Sequence, residues 1–170
     1  KGSVRFESPA QGPAAIVAQF DKLHLPEPGD GVGDLSITPR LVPTLHLWAG
    51  DLRIGAAQLG EARLEAFAVD GGLRVDLLEA RSPDLEIHAK GEWTDAPGGA
   101  ASQFKIRMTS ENLGRMLTGL GFAGVIDGGQ TLAEIDARWQ GAPYAFSLDR
   151  VNGSIDVSVG HGRFLDVDPG

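Results

Sequence analysis

Along most of the stretch from Thr44 to Trp93, apolar residues occupy every second position, charged residues fill the gaps, and Gly, Pro or Asp stands where the alternation stops. Leu45 and Leu47, Leu52 and Ile54, Leu64 and Ala66, Leu73, Val75 and Leu77, and Leu85, Ile87 and Ala89 each keep one parity within their own segment. The pattern returns in Phe104, Ile106 and Met108, in Ile135, Ala137 and Trp139, in Phe146 and Leu148, and in Ile155, Val157 and Val159. Side chains on a strand point alternately to opposite faces. The chain is therefore expected to form a sheet that is apolar on one face and ionic on the other.

Val4 to Phe6 and Ala15 to Leu25 read as further strands, with Ile16, Ala18 and Phe20 on one parity and Pro9 and Pro13 separating the two. Residues 26–43, with their prolines and with Gly29, Gly31 and Gly33, read as a loop. Turns are expected at Gly50-Asp51, Leu59-Gly60, Asp70-Gly71-Gly72 and Ser82-Pro83-Asp84, a spacing of about ten residues that marks an antiparallel meander. Thr94 to Ala101 is expected to be a loop within the same grammar.

One segment changes period. Ser110 suits an N-cap, Glu111 suits the positive end of a helix, and Leu113, Met116, Leu117 and Leu120 follow i, i+3, i+4, i+7 spacing before Gly121. The spacing predicts a short amphipathic helix over 110–121. Strands resume at Thr131, with a turn at Gly141-Ala142-Pro143 and a type I′ hairpin at Asn152-Gly153. The fold class is mostly β, in one segment spanning residues 1–170, with about ten to twelve short strands and one helix.

Charge and composition narrow the partners. A net charge of -8 and a pI near 4.9 argue against a nucleic-acid surface, which selects clustered Lys and Arg. The basic residues here stand singly among acidic ones. Without cysteine there is no disulfide frame, thiolate nucleophile or Cys-based zinc site. No stretch approaches the ~18 apolar residues of a membrane span. The chain begins without Met and carries strand pattern close to both ends, which leads us to expect a piece of a longer protein.

Ten strands about 4.8 Å apart and about 20 Å long give a face of roughly 900–1,000 Å². A helix of about eleven residues shields on the order of 160 Å². Soluble monomers seldom leave more than about 300–600 Å² of contiguous apolar surface in water. Three outcomes stand open at this point: closure as a barrel or sandwich, contact with another chain, or occupation by an apolar ligand.

Candidate chemistry is sparse. His24, His46, His88 and His161 lie in separate segments without ligand spacing. The run Gly29-Asp30-Gly31-Val32-Gly33-Asp34 has no following helix or ligand-spaced Glu that would make it a phosphate or calcium loop. No serine occupies a Gly-x-Ser-x-Gly elbow, and Asn152-Gly153-Ser154 reads as turn chemistry. Asp136, Asp149 and Asp156 alternate with apolar neighbours, as on a solvated strand face. No enzyme, metal or cofactor is expected.

The order of several motifs carries a resemblance: Gly91-Glu92-Trp93, then Leu113-Gly114 in the helical segment, then Trp139-Gln140-Gly141-Ala142-Pro143 with Phe146 and Leu148. Val151-Asn152-Gly153-Ser154-Ile155 and the closing run from Gly162-Arg163-Phe164-Leu165 through Asp166-Val167-Asp168-Pro169-Gly170 complete it. This order resembles the C-terminal part of YhdP-type proteins of the AsmA-like superfamily. The likeness runs from about Thr44 onward and is strongest from Trp93 to Gly170.

The resemblance implies a segment of a periplasmic protein anchored in the inner membrane through a part outside this chain. It implies a curled antiparallel sheet forming an open hydrophobic groove, along which phospholipid acyl chains pass toward the outer membrane, with outer-membrane components as further partners. On that basis the apolar-parity residues named above, Leu45 through Val159, line the groove. Ala66, Ala89 and Ala137 keep it open, Phe104, Trp139 and Phe146 narrow it, and the helix bearing Leu113, Met116, Leu117 and Leu120 caps one end. A closed β-sandwich or barrel acting as a binding or adhesion module is the competing expectation, since it would show the same alternation.

Overall fold

The computed structural model describes residues 1–8, 12–26, 37–122, 126–146, 150–160 and 162–164. Among these, one large sheet dominates. Its strands are β1 (Gly2–Glu7), β2 (Ala15–Phe20), β3 (Leu23–Leu25), β4 (Thr44–Ile54), β5 (Ala57–Val69), β6 (Gly72–Ser82), β7 (Leu85–Ala96), β8 (Gly99–Ser110), β10 (Thr131–Gln140) and β11 (Asn152–Val159). They lie in the order β1-β2-β4-β5-β6-β7-β8-β10-β11, with β3 beside β4. A two-stranded ribbon pairs β9 (Ile126–Gly128) with β12 (Gly162–Phe164).

The meander from β4 through β8 to β10 and β11 is antiparallel throughout. β2 and β3 instead run parallel to β4, which makes the sheet mixed. Parallel neighbours need a crossover of about a dozen residues or more. The long Pro- and Gly-bearing connection between Leu25 and Thr44 supplies one.

The sheet is not closed into a barrel. The chain exposes 11024 Å², where a compact monomer of this mass exposes about 8,000 Å². Burial is concentrated in a cluster of Ala66, Leu73, Val75, Phe104, Ala137 and Trp139. At the edges of the stack Phe6 is 76% and Ile155 64% exposed. The competing closed module is therefore not the architecture found.

Several boundaries differ from the sequence reading. β4 runs straight through Gly50-Asp51, and the turn falls at Gly55-Ala56. The irregularity at Gly50-Asp51 is a kink shared by two strands, because pairing resumes from Phe20↔Ala49 to Leu23↔Leu52 with two residues passed over on each side. Gly60 lies inside β5 at φ +73, where a Cβ would fall 2.2 Å from the Arg81 carbonyl oxygen, so Leu59-Gly60 forms a bulge instead of a turn. Thr94 to Ala101 is a tight hairpin turning at Pro97-Gly98. Asn152 and Gly153 sit inside β11, paired with Arg138 and Ala137. The turns at Asp70-Gly71 and Pro83-Asp84 fall where expected.

The helix α1 spans Leu113–Gly119, shorter than the 110–121 expected. Its N-cap is Asn112, whose side chain accepts from the Arg115 amide at 3.0 Å. Ser110, the expected cap, instead accepts from the Asn112 amide at 3.0 Å and so braces the cap from two residues back.

Candidate functional site

Direct cross-strand partners share a face of the sheet, so the register turns the pattern into rows. One row reads Phe6, Ile16, Leu45, Ala66, Val75, Gly91, Phe104, Ala137, Gly153 from β1 to β11. The next reads Val4, Ala18, Leu47, Leu64, Leu78, Ala89, Ile106, Ile135, Ile155. A third reads Gly2, Phe20, Ala49, Ala62, Ala80, Ile87, Met108, Ala133, Val157. No charged or polar side chain interrupts any of them. They form an apolar track across the whole stack, perpendicular to the strands.

Most expected lining residues lie on this track. Leu77 does not. It pairs with Glu65 on the charged face, because Asp76 is inserted as a bulge between Val75, which faces Ala66, and Leu77. Leu78 and Ala80 take over the apolar face beyond it, and strict alternation could not reveal that switch. Ala62, Ala133 and Trp93 also lie on the apolar face, each with the parity of a residue already read as lining. Leu52 and Ile54 pair with Leu23 and Leu25 under the kinked edge, Leu85 is buried at the start of β7, and Val159 pairs with Thr131. Leu148, His161, the Gly29–Asp34 run and residues 165–170 lie outside the described residues.

The strand ends form two rims. α1 sits along one, not at an end of the stack. Arg115 Nε lies 2.8 Å from Asp84 Oδ1 in the β6–β7 turn, and the Leu113 amide donates to the Gly129 carbonyl. Met116 is buried, while Leu113, Leu117 and Leu120 are half-buried. The opposite rim carries aromatic rings. Phe104 stacks on Trp139 at 5.6 Å, Phe146 meets Trp139 edge-on at 5.2 Å, and Tyr144 meets Trp93 edge-on at 6.3 Å. A 3-10 turn at Pro39–Leu41 packs on β6 and β7 there, tied by the Arg40–Asp95 ion pair.

The other face is ionic and self-neutralising. Its row Trp48, Arg63, Glu79, His88, Arg107, Glu134, Asp156 sets Arg63 against Glu79, His88 against Glu79 and Arg107 against Glu134, and ends on the two acidic partners Glu134 and Asp156. His88 lies 3.2 Å from Glu79 and 3.4 Å from Glu86, and His46 Nδ1 pairs with Glu65. Burial works to raise the Glu65 carboxyl, but hydrogen bonds and charge from His46 and Arg63 overcome it and hold it below 4.5. A depression of about 690 Å³ on this face is walled by Glu79, His88, Lys90, Lys105, Arg107, Glu134 and Asp136. Its charges offset one another. Among the described residues no group of three or more His, Asp or Glu could hold a metal ion, and no helix is long and apolar enough to cross a membrane.

The family model described as YhdP protein matches residues 1–170. Neither the curated proteins nor the solved structures contain a match to the chain.

Proposed function

The chain belongs to the YhdP family, and from that premise we propose that it is a segment of a lipid conduit in which phospholipid acyl chains lie on the apolar track. The observation that carries this reading is the continuity of the rows: three run from β1 to β11 without a polar side chain. A path for hydrocarbon needs a surface without polar barriers and without deep traps. Half-buried Leu64, Ile106 and Ile135 beside small Ala62, Ala80 and Ala133 offer such a surface. At about 25 cal/mol per Å², hydrocarbon covering even 400 Å² of it gains on the order of 10 kcal/mol.

No chemistry beyond solvation is required of the protein, so the role is transport without catalysis. The headgroup stays with water at a rim. The same reading places the protein in the periplasm, held to the inner membrane through a part outside this chain, with the outer membrane as destination.

Photoreactive residues at Ile87 and Ile135, and separately at Glu86 and Glu134, test it. Phospholipid crosslinks are expected from the first pair and not from the second. Crosslinks from the glutamate positions alone would reverse the assignment of faces and end the proposal.

A further inference from the structure

Next to the three central rows lies a fourth, one step toward the aromatic rim: Ala68, Leu73, Trp93, Ser102, Trp139. Its polar atoms receive unequal treatment. Ser102 is fully buried and its Oγ donates to the Gly141 carbonyl at 2.9 Å. The Trp139 Nε1–H donates to the Ala142 carbonyl at 2.9 Å. Trp93 is 4% exposed, and among the described residues its Nε1–H has no acceptor.

A buried donor without a partner gives up the hydrogen bond it makes to water in the unfolded chain and gains none in return. Indole offers only a donor, so an acceptor alone can satisfy it. The cost is avoidable, since phenylalanine would fill similar space with no polar atom. Trp93 stands on the apolar face, two residues along the strand, about 7 Å, from Gly91 in the first row.

Resting on the conduit reading above, we infer that Trp93 Nε1–H is a lipid-anchoring donor that takes the ester carbonyl of a diacyl phospholipid at the boundary between hydrocarbon and headgroup. The chemistry matches on both sides. An ester carbonyl is an acceptor that carries no hydrogen to donate, and it lies where acyl chain gives way to polar headgroup. The position matches as well: acyl chains on the three central rows put their esters at the fourth, with the headgroup beyond the hairpin at Pro97-Gly98. Tyr144, 37% exposed and edge-on to the Trp93 ring, is the side chain that yields as the lipid enters. The anchor gives the track a register, holding the lipid at one depth while its tails remain free to slide along the rows.

The test uses the indole N–H resonances of Trp48, Trp93 and Trp139 in the labelled protein. It is titrated with a short-chain diacyl phosphatidylglycerol and with its dialkyl ether analogue, both as monomers. Both lipids are expected to shift the methyl resonances of Ile106 and Ile135, while only the diacyl lipid shifts the Trp93 indole proton downfield. Trp93→Phe is expected to weaken diacyl binding about five- to tenfold, the weight of one hydrogen bond, and to leave ether-lipid binding unchanged. If the methyls respond but the Trp93 proton does not, or if it stays in contact with water at saturation, the anchor is wrong and the conduit stands. If neither lipid moves the methyls, the conduit reading falls and the anchor with it. The resonance shift reads the wild-type chain, so the answer does not depend on the variant folding.

Discussion

Arg74 grips both carboxylate oxygens of Asp76, with Nε 2.6 Å from Oδ1 and Nη2 3.1 Å from Oδ2. Asp76 is the residue that β6 carries without a partner on either neighbouring strand. The hydrogen bonds from Arg74 hold the Asp76 carboxyl below its ordinary range, as they raise the guanidinium above its own. Both groups are in water, so the pair adds little stability. Its consequence is geometric, because it closes the ring that lets one residue stand outside the ladder.

Removing Asp76 therefore restores a regular alternation in which Val75 and Leu78 stay inside and Leu77 stays outside. The deletion is expected to fold and to lose less than about 1.5 kcal/mol, within the range of tolerated strand repacking. Deleting His88 from the regular part of β7 has no such escape and turns one side of that strand over. Circular dichroism melts of the two deletions check this. A Asp76 deletion as damaging as the His88 deletion would contradict it.

Phe104 lays its ring over Gly91, where a Cβ would come within 2.5 Å of Phe104 Cδ1 and 2.3 Å of the Gln103 carbonyl oxygen. Gly91→Ala is expected to destabilise by about 1–3 kcal/mol through overpacking. Urea unfolding measures it. Adding Phe104→Leu should recover part of the loss and no more, because the Gln103 carbonyl remains in the way.

The carboxyl of Glu65 titrates below 4.5 in the folded chain and near 4.5 when unfolded. The unfolded chain therefore takes up the proton first on acidification. The stability from this group is complete above 4.5 and disappears as the pH falls through the lower folded value. Glu65→Gln should flatten the slope of unfolding free energy against pH in that window. Equal slopes in the two proteins would show that the pairing with His46 and Arg63 contributes nothing.

Ile135→Glu places a carboxylate within the second row, between Ile106 and Ile155. Retained phospholipid, measured by native mass spectrometry, is expected to fall about tenfold or more, since an ionised carboxylate against hydrocarbon costs several kcal/mol. Glu134→Ile, on the charged face, should leave the lipid content unchanged. Loss of lipid from both variants alike would detach the effect from the apolar track.

The class of fold was legible because alternation is a local property. Leu45, Leu64, Ala89, Ile106 and Ile135 fall on one face by parity alone. Leu77 was misplaced because an inserted residue leaves the composition of a strand unchanged while shifting its phase, and only the partners Glu65 and Gly91 expose the insertion. The parallel pairing of β2 with β4 was hidden for a different reason. It depends on where residues 26–43 return the chain, which strand pattern does not encode. Trp93 carried its signal openly, at the parity of Ala89, but the missing partner of its N–H becomes visible only when neighbouring strands are in place.

Each strand of this sheet meets only its immediate neighbours, and among the described residues the outer edges of the first and last strands have no partner strand in the sheet. Such an architecture has no built-in length. Strands could be appended at either side without disturbing any interior contact, much as links are added to a chain. The length of the apolar track is then a matter of how many strands the sheet holds, and it can be set by counting instead of by redesign.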